Sequence, residues 1–224
     1  MMLDMPPTEL LIEAPAGPLP GLWMEPDGAA ATLVLAHGAG SGMRSPFMAG
    51  LADGLAGRGV ATLRFEFAYM AAGRKPPDRP PRLLEAWHAA FAAAAARAPG
   101  PVLAGGKSMG GRIASMAAAE GMPAAGLVFF GYPLHPPGRP DRLRDEHLDA
   151  VRVPMLFIQG DRDPFATPAL LRAVIDRLAG RATLLSVADG DHSLRVAGGT
   201  RDAHTIGHGL AEPAAAFARA LTAG

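Results

Sequence analysis

One pentapeptide, Gly106-Lys107-Ser108-Met109-Gly110, constrains the fold of this chain more than any other feature. It follows a short apolar run and precedes a segment of helical character. A strand that turns into a helix over so few residues strains the backbone at the serine, and side chains two residues to either side would collide with their neighbours. Glycine at both of those positions removes the collision. The pattern predicts a strand–turn–helix unit that lifts the serine hydroxyl clear of a sheet, which is typical of a nucleophile.

Apolar runs of strand length alternate with helix-length segments along the chain. The runs are almost continuously apolar, which predicts strands that are covered by helices on both faces. Right-handed crossovers then predict an α/β fold with a mostly parallel, doubly wound sheet, formed as a single domain over residues 1–224. The predicted strands are Thr32–His37, Val60–Phe67, Val102–Gly105, Gly126–Phe130, Met155–Gln159 and Thr183–Val187, and the predicted helices are Pro46–Arg58, Leu83–Arg97, Met109–Glu120, Pro168–Leu178 and Ala211–Ala220.

Proline and glycine mark the remaining organisation of the chain. Leu10–Ile12 and Gly21–Met24 are separated by a Pro/Gly stretch and predict an antiparallel hairpin at the N-terminal end. Arg74–Arg82 and Pro133–Arg144 are rich in proline and arginine and predict exposed loops.

Two further polar side chains follow late strands of the predicted sheet. Asp163 comes after the strand Met155–Gln159, and His192 comes after the strand Thr183–Val187. With Ser108 they stand in the order nucleophile, acid and base, each at the carboxyl end of a strand. Because open α/β sheets place their sites at this edge, we expect the three side chains to meet. Asp163 would orient His192, which would take the serine proton and deliver it to a leaving group.

The acid of the predicted triad has two candidates. Asp161 competes with Asp163, but it lies nearer the strand and better suits a turn-forming side chain.

An acyl-transfer serine also needs N–H donors for the oxyanion. Met109 N–H, at the start of the helix after Ser108, is one candidate, and Ala39 N–H, in a glycine-rich loop that follows an early strand, is the other. Glycines in that loop let the backbone approach a substrate closely.

Charge and cysteine content limit the classes of function. The chain has 21 basic and 21 acidic residues, so it lacks the strong field that favours nucleic acid or an anionic membrane. It has no cysteine, which excludes disulfides, thiolate metal sites and a cysteine nucleophile. The first residues lack the basic and apolar regions of a secretory signal, so none is expected, and no apolar stretch reaches the ~20 residues of a membrane span. We expect a cytoplasmic protein with a small-molecule substrate, and no feature indicates an oligomeric state.

Two nucleotide-binding motifs are partly matched and are rejected. A phosphate-binding loop that ends in Gly106-Lys107-Ser108 needs glycine at position 101, where the chain has Pro101. A dinucleotide fingerprint at residues 38–42 has its third glycine one place early, with Met43 at the expected position. That motif also leaves the ordered serine, aspartate and histidine unexplained. No cofactor is therefore expected.

Other histidines and basic side chains have alternative roles. His204 and His208 have the i,i+4 spacing that suits a metal, but no H-E-x-x-H pattern or third ligand accompanies them, so no metal is expected. Residues 202–208 are expected to form a solvated loop and helix start, and His37 to be a structural hydrogen-bonding residue. Basic side chains would suit an anionic substrate, although such charges are more often solvated. They are Arg64, Arg74, Lys75, Lys107 and Arg112.

In these residues the chain resembles the α/β-hydrolase superfamily, and more narrowly its small cap-less bacterial branch, often labelled dienelactone-hydrolase-like. The resemblance covers nearly the whole chain and implies a three-layer fold with an eight-stranded type of sheet and a Ser108/Asp163/His192 triad. Dienelactone hydrolases proper have a cysteine nucleophile, so the resemblance implies a class of enzyme rather than a lactone substrate. The stretches that carry it are 37–40, 105–112, 131–138, 160–165 and 190–193.

The predicted site is open. Only residues 131–154 separate the strands that end near Phe130 and begin near Met155, with a short helix near Leu143–Ala150, and this is too little for a full cap domain. An open apolar rim suits an ester or thioester acyl group. The predicted substrate-binding residues are Gly38, Gly40, Lys107, Tyr132 and Phe165, and Tyr69, Pro133 and Leu134 are also expected to border the site.

The sequence therefore predicts a serine hydrolase of carboxylic ester or thioester bonds that forms an acyl-enzyme on Ser108. The alternative is a non-catalytic protein of the same fold that binds a ligand or a partner. Serine, aspartate and histidine in the required order favour the enzyme, because a scaffold has no need of all three. Amidase, perhydrolase or lyase chemistry would use the same residues.

Overall fold

The computed structural model of the chain, which describes residues 5–222, contains one eight-stranded sheet. Its strands are β1 (Thr8–Ile12), β2 (Leu19–Met24), β3 (Ala31–Ala36), β4 (Val60–Phe65), β5 (Val102–Lys107), β6 (Leu127–Phe130), β7 (Met155–Gly160) and β8 (Ala182–Val187). The helices are α1 (Pro46–Ala56), α2 (Ala68–Ala71), α3 (Pro80–Ala95), α4 (Met109–Ala119), α5 (Pro168–Arg177) and α6 (Ala203–Thr222), and Glu146–Ala150 form a short 3-10 helix.

The strand order is β1-β2-β4-β3-β5-β6-β7-β8, with β5 near the centre. β1 and β2 form the predicted antiparallel hairpin, and β2 also pairs antiparallel with β4. All pairs from β4 to β8 are parallel. The predicted α/β class and mostly parallel sheet are confirmed. The strand ends that carry the predicted site residues therefore lie along one edge of the sheet.

Both faces of the sheet are covered, because the central strands are apolar at successive positions. Side chains alternate between the two faces of a strand. Val34 and Ala36 join the apolar cluster that contains Trp87, on the side of α3, α4 and α5. Leu33 and Leu35 join the opposite cluster, beneath α1 and α6. The expected three-layer arrangement is confirmed.

The last strand differs from its prediction. Thr183–Val187 was expected to be buried on both faces, and this is wrong, because β8 is an edge strand with alternating exposure. Leu185 is 37 % exposed. An apolar run of strand length does not distinguish a central position from an edge position. The loop that follows β8 thus starts from a less constrained strand than the central strands.

Helix α6 begins eight residues before the predicted start, so residues 202–208, expected to be a solvated loop and helix start, are almost entirely helical. Glycines explain this, because they let α6 lie very close to α1. A Cβ on Gly50 would lie 2.0 Å from the His204 carbonyl oxygen, and a Cβ on Gly207 would lie 2.2 Å from that of Phe47. Glycine lowers helix propensity, so tertiary packing rather than local sequence stabilises this start.

The segments outside the regular sheet follow their predictions more closely. Residues 133–144 form a loop that is exposed from Pro137 onward, but Pro133–His135 are buried, so the expected exposure is wrong at its start. Arg74–Arg82 ends in the first turn of α3, where Pro80 takes the N1 position that tolerates proline. Together with the short 3-10 helix, residues 131–154 provide no full cap over the sheet edge. None of the helices in the described part of the chain is both long and apolar enough to cross a bilayer.

Candidate active site

The turn between β5 and α4 has the strained geometry that the pentapeptide predicts. Ser108 has φ 51° and ψ −118°, in a region that non-glycine residues rarely occupy. A Cβ on Gly106 would lie 2.2 Å from the Ala36 carbonyl oxygen, and a Cβ on Gly110 would lie 2.4 Å from the same atom. Both glycines are therefore required by one carbonyl group at the end of β3. The turn presents the Ser108 side chain at the carboxyl edge of the sheet.

Three side chains from three strand ends form one hydrogen-bonded row. His192 Nε2 lies 2.8 Å from Ser108 Oγ, and His192 Nδ1 lies 2.7 Å from Asp163 Oδ2. The Asp163 carboxylate is buried, whereas the His192 side chain is 23 % exposed. Because a carboxylate accepts, Nδ1 carries the proton and Nε2 is left to accept from the serine hydroxyl. The structure thus brings together the three residues that the sequence singled out.

Two donors fix the Asp163 carboxylate. Phe165 N–H donates to Oδ1 at 2.8 Å, and the Gln159 side-chain amide donates to Oδ2 at 2.6 Å. Gln159 Oε1 in turn accepts from the backbone N–H of Tyr132 at 2.7 Å. Gln159 was not predicted from the sequence, although a lone amide at the end of an apolar strand was a usable signal. Asp161, the competing acid, is not part of the row, and its Oδ1 has no hydrogen-bond partner in the described chain.

The glycine-rich loop after β3 lies beside the serine. A Cβ on Gly38 would be 3.6 Å from Ser108 Cβ, an ordinary contact. His37 is fully buried, with Nδ1 donating to the Gly38 carbonyl at 2.8 Å and Nε2 accepting from Phe67 N–H at 3.2 Å. The Tyr69 hydroxyl donates to the Ala39 carbonyl at 3.0 Å. These bonds agree with the structural role expected of His37 and hold the backbone that carries the Ala39 N–H.

The other candidate oxyanion donor lies at the start of α4. Met109 is the first residue of that helix, so its N–H has no intrahelical acceptor. Gly40, further along the loop after β3, is exposed, and nothing lies within 4 Å of the place where its Cβ would be. Gly40 thus borders open space rather than the serine.

The expected apolar rim is only partly present. Phe165 is half-buried, with its ring centroid 4.3 Å from that of His192. Tyr132 was expected to bind substrate, but its side chain is buried, with ring centroids 5.1 Å from Phe129 and 5.4 Å from Phe157. The expectation for Tyr132 is wrong because this ring completes the aromatic core under the sheet edge. The other expected rim residues, Tyr69, Pro133 and Leu134, are also buried.

Lys107 does not extend toward a substrate either. Its Nζ donates to the backbone carbonyl of His192 at 2.5 Å. Burial lowers the pKa of Lys107 to about 8, and the charges of Asp163 and Asp191 counter part of this effect. Its expected role in substrate binding is therefore replaced by a contact within the protein.

The other basic side chains of the predicted set do not converge on the serine as free charges. Arg64 is buried and donates to the Met43 carbonyl at 3.3 Å, and Arg74 pairs with Asp78 at 2.7 Å.

The histidine pair that would suit a metal is also separated: His204 is hydrogen-bonded to Asp53 at 2.8 Å rather than paired with His208. Residues 5–222 contain no group of three or more His, Cys, Asp or Glu side chains that could hold a metal ion.

Comparison with known proteins gives the family. A model of the alpha/beta hydrolase domain matches residues 29–219. The chain belongs to the alpha/beta hydrolase family. This membership confirms the resemblance noted in the sequence and makes the chain a hydrolase.

Solved alpha/beta hydrolases share its fold over most of their length. A dienelactone hydrolase from Anabaena variabilis is 25 % identical, with 93 % of this chain and 95 % of that chain covered and a TM-score of 0.74. A serine hydrolase without a lid from Xanthomonas campestris is 23 % identical, with 86 % and 88 % covered and a TM-score of 0.69. An esterase domain from Rhodothermus marinus is 18 % identical, with 94 % and 98 % covered and a TM-score of 0.69.

Proposed function

We propose that this alpha/beta hydrolase cleaves carboxylic ester or thioester bonds through an acyl-enzyme on Ser108. The observation that carries the proposal is the row in which His192 lies 2.8 Å from Ser108 and 2.7 Å from Asp163. A buried carboxylate that orients the imidazole, and a strained serine at the sheet edge, match the requirements of nucleophilic catalysis. Similar folds described as an esterase domain and as dienelactone hydrolase support acyl chemistry.

The geometry suggests the role of each group in acylation. As Ser108 Oγ attacks the substrate carbonyl carbon, its proton passes to His192 Nε2, and Asp163 stabilises the imidazolium that forms. The N–H groups of Met109 and Ala39 would stabilise the oxyanion of the tetrahedral intermediate. His192 then gives the proton to the leaving alkoxide or thiolate as its bond to the carbonyl carbon breaks.

Deacylation uses the same groups in reverse. Water, with His192 as general base, attacks the acyl-enzyme carbonyl carbon, and the proton held by His192 returns to Ser108 as the carboxylate product leaves. No cofactor or metal is needed to balance either half of the reaction. Amidase or perhydrolase chemistry would change only the leaving group or the acceptor.

An open site with little apolar surface limits the substrate. Phe165 is half-buried against His192, while the other rim residues expected from the sequence are buried. Within residues 5–222 no full cap covers the sheet edge, so part of a bound substrate can extend into solvent. We therefore propose a small ester or thioester substrate with a short acyl group, or a larger substrate that stays partly outside.

Hydrolysis of p-nitrophenyl acetate, butyrate and octanoate by wild type and Ser108→Ala tests this proposal. We expect wild type to turn over acetate or butyrate faster than octanoate, and the variant to lose roughly three or more orders of magnitude in kcat/KM. A fluorophosphonate probe should label wild type and not the variant. Equal labelling of both proteins would remove Ser108 from the mechanism. A wild type that neither labels nor hydrolyses any ester would favour a binding protein of the same fold.

A further inference from the structure

The loop that carries His192 has to cross two strand ends to reach Ser108. Its parent strand β8 is separated from β5 by β6 and β7. Glycine at each crossing lets the loop lie directly on the sheet edge. A Cβ on Gly160, at the end of β7, would lie 2.2 Å from the Gly190 carbonyl oxygen, and a Cβ on Gly131, just after β6, would lie 2.9 Å from that of His192. His192 thus lies at the end of a loop segment that crosses the ends of β7 and β6.

Hydrogen bonds within the loop hold its shape but do not attach it to β5: Asp191 Oδ1 accepts from Ser193 N–H at 2.7 Å and from Arg195 N–H at 3.0 Å. Asp189 and Leu194, on either side of His192, have φ angles of 56° and 62°, which non-glycine residues adopt only when the surroundings enforce them. At its N-terminal end the loop is attached to β8, a partly exposed edge strand. The His192 ring is bonded to Asp163 at 2.7 Å, and Arg162 N–H donates to the Gly190 carbonyl at 2.9 Å, but both contacts join the loop to the end of β7 rather than to β5, the strand that carries Ser108.

Lys107 provides a contact at that point. It is the last residue of β5, directly before Ser108, so its backbone is fixed by the central strands. Its Nζ donates to the His192 carbonyl oxygen. The position where Gly131 would carry a Cβ lies 2.9 Å from this Nζ, so the lysine uses the same gap that admits the histidine loop. One side chain thus links the backbone of the serine to the backbone of the histidine.

Burying the charged ammonium group of Lys107 at this point costs free energy of folding. The charged groups that face it are Asp163, after β7, and Asp191, in the histidine loop, and neither forms an ion pair with it within the described chain. Burial lowers the pKa of Lys107 to about 8. Because the folded state disfavours the protonated lysine, the charge destabilises the fold below pH 8, and the penalty is relieved as the pH rises from 8 toward the ordinary lysine range. A buried charge of this kind needs a reason other than stability.

We propose that Lys107 is a positioning residue that clamps the His192 loop to β5 and so maintains the hydrogen bond between His192 and Ser108. This inference rests on the proposed serine hydrolase function. The clamp is a charge-assisted hydrogen bond, which is shorter and stronger than its neutral counterpart. Lys107 does not touch the substrate or the reacting atoms, and it acts through the placement of His192.

Replacing Lys107 by Met, which keeps the linear stem and removes the ammonium, tests the clamp. The chain has one other lysine, the exposed Lys75, so Lys75→Met is the matched control. At pH 7 we expect Lys107→Met to lower kcat by roughly ten- to a hundredfold, since misplacement of about 1 Å has effects of this size. KM should change little, and the melting temperature should stay equal or rise because the buried charge is gone. Lys75→Met should match wild type in all three.

The pH profile separates positioning from a purely structural role. As the pH rises through about 8, Lys107 loses its charge and the clamp weakens to a neutral hydrogen bond. The ratio of wild-type kcat to Lys107→Met kcat should therefore fall across this range. In wild type labelled with 13C at lysine Cε, the signal that disappears in Lys107→Met should titrate across the same range.

Each outcome has a definite consequence. An active wild type with an equally active Lys107→Met rejects the clamp alone. A loss of kcat that comes with a lower melting temperature and a ratio independent of pH also rejects it, because it indicates a structural role. A wild type that neither hydrolyses esters nor reacts with fluorophosphonate rejects the proposed function, whatever the lysine does.

Discussion

Residues 5–222 contain two serine–histidine pairs with the same separation and different chemistry. Ser108 Oγ and Ser115 Oγ each lie 2.8 Å from the Nε2 atom of a histidine, His192 and His147 respectively. Both serines belong to the same strand–turn–helix unit, one at its turn and one in the second turn of α4. Distance alone therefore does not identify a nucleophile, and the surroundings of each pair have to decide.

The direction of the hydrogen bond separates the two pairs. Ser115 Oγ donates its single proton to the Arg112 carbonyl at 2.7 Å, so it has to accept from His147 Nε2–H. His147 therefore has its proton on the wrong nitrogen to act as a base toward this serine. At the other pair, Asp163 holds the proton on His192 Nδ1 and leaves Nε2 free to accept.

Burial completes the contrast. Ser115 is fully buried within α4, where no substrate carbonyl can reach it, whereas Ser108 lies at the sheet edge. Burial, followed by the nearby charge of Arg112, lowers the pKa of His147 to about 4, while Asp145 partly opposes this. The second pair is thus a neutral polar network that joins α4 to the 3-10 helix. A serine becomes a candidate nucleophile through backbone strain, an oriented base and exposure together.

The largest expected effect comes from removing each histidine. His192→Ala should lower kcat/KM for a p-nitrophenyl ester by roughly four to six orders of magnitude, because the base and its link to Asp163 are both lost. His147→Ala should leave kcat/KM close to wild type and reduce the free energy of unfolding by about 1–3 kcal/mol, since Ser115 loses its donor. Steady-state kinetics and urea unfolding of both variants measure the difference.

Two results would break the comparison. Unchanged turnover in His192→Ala would show that this histidine is not the base. A loss in folded His147→Ala as large as that in His192→Ala would make the second pair catalytic instead.

An intermediate effect is expected from the donors that support each pair. Gln159→Leu removes the amide that donates to Asp163 and leaves the buried Tyr132 N–H without its acceptor. We expect a loss of about tenfold in kcat, because the orientation of His192 is relaxed, and of about 1–3 kcal/mol in stability. Ser115→Ala is the matched variant in the other pair and should cost about 1 kcal/mol of stability with no change in kcat.

The two readouts together decide the role of Gln159. Parallel measurement of kcat and of urea midpoints gives both quantities for each variant. If Gln159→Leu lost stability but kept wild-type kcat, the amide would be structural in the same sense as Ser115, and the proposed role of the Ser108–His192 pair would not depend on it.

Much of the site was predictable because its constraints are local. Gly106 and Gly110 are both required because a side chain at either position would clash with the Ala36 carbonyl of the neighbouring strand, and this requirement is visible in the sequence as a short motif. Asp163 and His192 follow strands, so their meeting is a consequence of sheet topology. The sheet class and hairpin were predictable for the same reason, since apolar periodicity and proline and glycine positions carry them.

What the sequence missed depends on contacts between distant segments. The burial of Tyr132 and the turn of Lys107 toward His192 arise from packing across the sheet edge, which residue type does not reveal. The early start of α6 depends on its close contact with the glycines of α1, which lie far away in the chain. Asp53 of α1 and His204 of α6, for example, are hydrogen-bonded although 151 positions separate them. Edge exposure of β8 likewise follows from strand order rather than from its composition.

The smallest expected effect is a pH dependence of stability that belongs to the second pair alone. The folded-state pKa of His147 is about 4, below its ordinary value of 6.5. Its stabilising contribution is therefore fully present above pH 6.5 and is lost as the pH falls toward 4, because the unfolded chain takes up a proton first. After allowance for partial exposure we expect the free energy of unfolding to decrease by roughly 1–2 kcal/mol over this range.

Melting temperatures of wild type and His147→Gln between pH 7 and 4 measure this decrease, and the variant should show a shallower decline. An equal decline in both proteins would assign the acid sensitivity to other groups and would remove the buried neutral histidine from the contrast between the two pairs.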